Sequence, residues 1–140
     1  MLEFEIVVNE LIKVRIMDNS GILSIPCSPI MMLIQPAGVT DHYSKIGLVT
    51  AWVWSKNNIE WTDIKISDPK LRGKGIGSSV VQFFCNYLKK SGGTQIFGHI
   101  SDVDDVKNVK KFWEKNGFEV TDLENPKGHF VAKINKNLIL

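Results

Sequence analysis

The stretch LRGKGIGSS, Leu71 to Ser79, carries Gly73, Gly75 and Gly77 between two apolar runs. Glycine weakens helix and strand interiors alike, so three in five positions mark a break between elements. A strand entering a helix through such a loop exposes N–H groups with no partner inside the helix, at the end the helix dipole makes positive. Glycines let a bulky anion reach those groups, which makes a phosphate seat. A plain tight turn with helix-packing glycines is the other reading of the same residues. Spacing excludes two known phosphate loops. GxxxxGK[ST] is absent, with Lys74 between Gly73 and Gly75, and GxGxxG fails because Ser78 stands where the third glycine belongs.

The flanks read as strand and helix. KIGLVTAWVWS (Lys45 to Ser55) and IEWTDIKIS (Ile59 to Ser67) are β-branched and aromatic, and Asn57 and Asn58 between them suit a two-residue hairpin turn. That turn predicts Trp54 opposite Trp61 and Trp52 opposite Asp63 on one face. Val49, Ala51, Val53, Ile64 and Ile66 then share the other face with Glu60. Downstream, Ile76, Val80, Phe84 and Leu88 recur every four residues, an amphipathic helix stopped by Gly92 and Gly93. TQIFGHIS (Thr94 to Ser101) reads as a strand. A second helix runs from Asp104 and Asp105 through Val106, Val109, Phe112 and Trp113 to a C-cap at Gly117. FEVTDL and GHFVAKI read as two final strands. Upstream, Phe4 to Val8 and Met31 to Ile34 read as strands, and Asn9 to Met17 fits a short helix or a strand.

Composition bounds the function. A chain of 140 residues, 44% hydrophobic and 23% charged, is expected to form a single domain, residues 1–140, with a sizeable core. A net charge of +2 gives no electrostatic case for nucleic acid. Cys27 and Cys85 lack the spacing of a zinc site and read as two reduced, buried thiols, so no metal is expected. The acidic N-terminus (MLEFE) and the lack of a membrane-length apolar run point to a cytoplasmic protein without a membrane partner; a monomer or homodimer is expected.

IKISDPKLRGKGIGSSVVQFF contains Arg-x-x-Gly-x-Gly, from Arg72 to Gly77, between a hydrophobic strand and an apolar helix. This closely resembles the GNAT N-acetyltransferase superfamily, whose [RQ]-x-x-G-x-[GA] motif ends a strand and cradles the pyrophosphate of coenzyme A. KKFWEKNGFEV resembles the second family signature, an aromatic-bearing helix that ends in Gly-Phe before a strand. The resemblance covers about two thirds of the chain, from Lys45 onward. It implies an α/β (α+β) fold with a mixed, mostly antiparallel sheet of six or seven strands, flanking helices and a splay at the acyl-CoA site. It implies acetyl-CoA as co-substrate, held by Leu71, Arg72, Gly73, Lys74, Gly75, Ile76, Gly77 and Ser78, with Ile64 and Ile66 on the pantetheine and Asn108 and Trp113 beside it. The family usually carries two helices in the N-terminal third, where this sequence matches poorly.

One departure bears on chemistry. Trp113 stands where the family commonly has a tyrosine that protonates the departing thiolate, and an indole N–H cannot act as that acid. Attack by an amine also needs a base. Glu60 is the first candidate and Asp63 the second; the alternative is that Glu60 follows the hairpin turn and faces water. His99 and His129 are further candidates for proton transfer. The implied function is transfer of an acetyl group from acetyl-CoA to an amine by direct attack. The rivals are a non-catalytic coenzyme-A-binding module, which the Trp113 change supports, and a nucleotide-binding module using the same loop.

Overall fold

The computed structural model describes residues 2–41, 44–66, 75–102, 105–124 and 129–139. Its eight strands are β1 (Leu2–Val7), β2 (Ile12–Asp18), β3 (Ser28–Pro36), β4 (Gly47–Ser55), β5 (Asn58–Ile66), β6 (Gln95–Ser101), β7 (Glu119–Asp122) and β8 (Phe130–Asn137). Helix α1 (Ile76–Lys90) joins β5 to β6, and α2 (Val106–Lys115) lies between β6 and β7. The strands form one sheet in the order β1-β2-β3-β4-β5-β6-β8-β7. Neighbours are antiparallel except β5 and β6, which run parallel because α1 carries the chain across.

The sheet has eight strands rather than six or seven, and residues 2–36 contain no helix. Period-two alternation decides this region. Ile12, Val14 and Ile16 are fully buried, while Lys13, Arg15 and Met17 point to the opposite face. Val14 pairs with Ile6 and Ile34, and Ile16 with Phe4 and Met32, so one face is apolar across three strands. Asn9 fixes the first hairpin: its Oδ1 accepts the N–H of Leu11 (2.8 Å) and of Ile12 (3.0 Å).

Both helices cover that same face. From α1, Ile76, Val80, Val81, Phe84, Cys85 and Leu88 are buried against it. From α2, Trp113 packs on Trp61 with ring centroids 5.5 Å apart, and Trp61 lies 5.0 Å from Phe84. Each fully buried Ile, Val or Phe contributes about 1.5–3 kcal/mol relative to exposure. The helix ends follow the expected signals: Lys89 and Lys90 occupy the last turn of α1, and Gly92 follows its C-cap with φ +98°.

The opposite face has no helix over it among the described residues. Met31 (39% exposed), Trp54 (46%) and Phe130 (46%) sit there with Thr50, Trp52, Glu60 and His99. No described helix is long and apolar enough to cross a membrane.

Candidate active site

β5 and β6 pair only at Ile59–Ile96 and Glu60–Phe97. Beyond that point they separate, and a cleft of about 410 Å³ opens between them, lined by Glu60, Asp63, Ile64, His99, Ser101, Val109, Trp113 and Phe130, among others. A β-bulge shapes this stretch. Ala51 pairs with Trp61 but Thr50 pairs with Asp63, so Thr62 is an extra residue that bends β5. The hydroxyls of Thr50 and Thr62 hydrogen-bond at 2.7 Å across the bulge. A second cleft, of about 660 Å³, is lined by Ile64, Lys65, Gly77, Asn108, Val109, Phe112 and Trp113. Ile64, Val109 and Trp113 line both. The path therefore runs from the start of α1, past α2, through the sheet to its open face.

The start of α1 has the properties of an anion seat. Gly75 is its N-cap with φ +75°, no side chain among the described residues caps the helix, and no acidic residue occupies the first turn. Among the described residues a Cβ on Gly75 would meet nothing within 4 Å, so this glycine answers to its left-handed backbone at the first N–H groups of the helix. Gly77 answers to packing instead: a Cβ there would lie 3.2 Å from the Phe112 ring. Ser78 Oγ accepts a bond from Asn116 Nδ2 at 3.2 Å, and that amide also donates to the Phe112 carbonyl at 2.8 Å. Buried Asn116 thus ties the start of α1 to the end of α2. The sequence shows it only as the residue before the Gly117 C-cap, and nothing local signals the tie.

Four of the expected cofactor contacts, Ile64, Gly77, Asn108 and Trp113, come together in the second cleft. Asn108, on the exposed side of α2, donates to Asp105 Oδ2 at 2.9 Å. The Ile76 side chain is in the core, only 2% exposed, so its main chain alone faces the seat. Ile66 ends β5 opposite Gly47. Leu71, Arg72, Gly73 and Lys74 lie outside the described residues.

The hairpin register corrects two expectations. The turn is Lys56-Asn57, with Ser55 paired to Asn58, and a register shift follows at Val53 to Ser55. Trp61 therefore faces Ala51 inside the core, 6% exposed, rather than joining Trp52 and Trp54. Glu60 pairs with Trp52 on the open face, not with the aliphatic set, and its Oε1 accepts the indole N–H of Trp54 at 3.0 Å. Asp63 is exposed beside it in the same cleft. His99 lines that cleft too, its ring 5.0 Å from Phe130, whereas His129 precedes β8 and offers its carbonyl to the N–H of Asp102.

The cysteines differ from each other. Cys27 is exposed, not buried as expected, because it sits in the β2–β3 connection with φ +55°. Cys85 is buried in α1, and burial pushes its thiol up to about 11 against a smaller opposing pull from Lys136. A thiol so resistant to ionising is a poor nucleophile. Among the described residues, no group of three or more His, Cys, Asp or Glu is placed to hold a metal.

No protein-family model matches the sequence, and no curated protein matches it either. Solved structures do match in shape. An acetyltransferase of the GNAT family from Staphylococcus aureus Mu50 superposes with a TM-score of 0.63 over 80% of this chain and 69% of that one, at 14% identity. The chain has the GNAT fold. A GNAT-fold spermidine N-acetyltransferase from Vibrio cholerae, solved with CoA and spermine, gives 0.60 over 79% and 66%, at 20% identity. The PaiA N-acetyltransferase of Thermoplasma acidophilum, solved with coenzyme A, gives 0.59 at 17% identity; the match takes in 78% of this chain and 60% of that one.

Proposed function

We propose that this protein is a GNAT-superfamily N-acetyltransferase that uses acetyl-CoA and a primary amine. The observation that carries this reading is the opening of a parallel strand pair, β5 and β6, into a cleft that continues to an uncapped helix N-terminus. The fold neighbours solved with coenzyme A support it.

The residues fit the co-substrate. The seat beside Gly75 suits a pyrophosphate; Arg72 and its neighbours, which the family resemblance assigns to the same group, lie outside the described residues. Ile64 and Lys65 line the second cleft on a stretch of β5 that β6 leaves unpaired, and free main-chain groups of such a stretch suit the amides of pantetheine. Acetyl-CoA supplies a thioester: the amine nitrogen bonds to its carbonyl carbon, the C–S bond breaks, and coenzyme A leaves as the thiolate.

Protein groups manage the protons. An alkylamine has a pKa near ~10.4 and reaches the cleft as an ammonium. A cleft carboxylate, Glu60 or Asp63, takes one proton directly or through water before attack, and the second nitrogen proton leaves to solvent as the C–S bond breaks, balancing the one the thiolate takes up. Trp113 forms an apolar wall shared by the two clefts and gives no proton to the thiolate, which takes one from solvent. A thiol pKa near ~8.5 makes that leaving group tolerable without an acid.

Incubation with acetyl-CoA and a panel of amines, read by release of free thiol, tests the reading. Amine-dependent release is expected. Coenzyme A binding without release under any amine would favour the non-catalytic module. Tighter binding of ATP or NAD than of coenzyme A would favour the nucleotide module.

A further inference from the structure

Glu60 and Asp63 line one cleft but sit in different settings. Glu60 stands at the last residue pair where β5 and β6 remain joined. Its carboxylate takes the Trp54 indole N–H at 3.0 Å, and Trp52 is its cross-strand partner on β4. Trp52 and Trp54 meet edge-on, centroids 6.0 Å apart at 64°, so the two rings form a corner on the strand beside Glu60. No Lys or Arg pairs with Glu60 among the described residues, and the cation–ring contacts there involve Phe97 and Phe118, not these tryptophans. Trp54 is 46% exposed, so the corner is open to a ligand. Asp63 lies past the bulge, where the strands have parted. It carries no hydrogen bond or ion pair among the described residues, and it is next to Ile64, one of the three residues shared with the second cleft.

A carboxylate beside two indole rings with no protein cation on them suits an alkylammonium, which gains from the charge and from the ring faces together. Asp63 is three residues further along a bulged strand, about 7–10 Å away at the usual rise per residue. The nitrogens of an extended four- or five-carbon diamine lie roughly 6–8 Å apart, near the lower end of that backbone span, and the side chains close the difference.

Resting on the acetyltransferase reading, we propose that the acceptor carries two cationic groups. Glu60, Trp52 and Trp54 seat the non-reacting cation, and Asp63 takes the proton from the reacting nitrogen. The seat selects α,ω-diamines and their longer homologues over monoamines of the same length.

Three acceptors separate the effects: butylamine, 1,4-diaminobutane and (4-aminobutyl)trimethylammonium, whose tail is charged but cannot react. Both charged-tail compounds are expected to exceed butylamine in kcat/KM by about tenfold or more, equivalent to about 1.4 kcal/mol. The gain should sit mainly in KM. Trp54→Leu and Glu60→Gln should each bring the ratio close to one, with folding checked by thermal melts. A ratio below twofold in the native protein, or one retained in both variants, overturns the seat while leaving the acetyltransferase reading in place. If no amine releases thiol, that reading fails, and the seat is judged by tryptophan fluorescence under titration with tetramethylammonium. A saturable change lost in Glu60→Gln supports the seat, and no saturable change overturns it.

Discussion

The two faces of the sheet answer to different physics. The helix-covered face is a continuous aliphatic and aromatic layer, with Val14, Ile16, Met32, Ile34, Val49 and Phe84 fully buried. The other face mixes carboxylates, lysines, tryptophans and Phe130 with no helix over it among the described residues. Apolar burial is concentrated on the first face and exposed polar and aromatic groups on the second, and the cleft between β5 and β6 is lined by residues of both. A residue's value to this protein depends on the side of the sheet it faces more than on its distance along the chain.

The largest expected contrast is between truncations on the two faces. Phe84→Ala removes a fully buried ring that touches Trp61 and Tyr87, and should cost about 3–5 kcal/mol by chemical denaturation. Met31→Ala on the open face should stay within about 0.5 kcal/mol. Comparable losses at both positions would mean that something in solution covers the open face.

The next contrast lies at the start of α1. Gly75→Asp should abolish coenzyme A binding in calorimetry, because it adds a side chain and a negative charge at the seat. The same change strains a left-handed position, so the melting temperature should fall modestly while the fold persists. Gly77→Ala should act in the opposite proportion, with loss of stability first, because its Cβ would press on Phe112. Unchanged affinity in a folded Gly75→Asp would show that the seat is misassigned.

Trp113→Tyr sharpens the comparison at the point where the faces meet. The smaller ring leaves a gap against Trp61 and Phe118, which should lower stability by about 1–2 kcal/mol, and its hydroxyl gives the cleft an acid. Turnover should rise, by up to about 10²-fold, with coenzyme A affinity little changed. Lost stability without any gain in rate would make Trp113 a core residue alone.

The smallest expected effect is in the alkaline stability profile. Burial, with the hydrogen bond to Asp18 and that group's charge behind it, raises the Tyr87 hydroxyl above its ordinary range, and burial pushes Cys85 up to about 11. Both groups are neutral in the folded protein while the unfolded chain ionises, so their contribution is complete below about 9, the ordinary thiol value, and is lost as pH rises from there. Thermal melts should show a decline from pH 9 to 11 that is shallower in Cys85→Ala and Tyr87→Phe. An identical decline in both variants would place its origin elsewhere.

What was legible in the sequence follows the same division. From Lys45 onward the elements read correctly, because the strands are β-branched and aromatic and the helices carry a clear four-residue recurrence, ending at Gly92 and Gly117. The segment Asn9 to Met17 was not legible on its own. Its alternation becomes decisive only when Val14 and Ile16 find partners on both sides, and that pairing is a long-range property. The turn lies one residue earlier than expected, and the extra residue Trp54 between the Val53 and Ser55 pairings then sent Trp61 inward and Glu60 outward. The cleft residues Ile64, Gly77, Asn108 and Trp113 were reached through family resemblance. The Trp54–Glu60 bond and the Asn116–Ser78 tie needed coordinates.

In the proposed function, one continuous path, from the start of α1 through the parted β5 and β6, receives acetyl-CoA. Titrating isotope-labelled protein with coenzyme A and following backbone amide shifts tests it most directly. The account predicts saturable changes at Ile64, Gly77, Asn108 and Trp113, and none at Met31 or Leu33 on β3. Saturable changes confined to the β1–β3 region, or none at the four cleft residues, would contradict it.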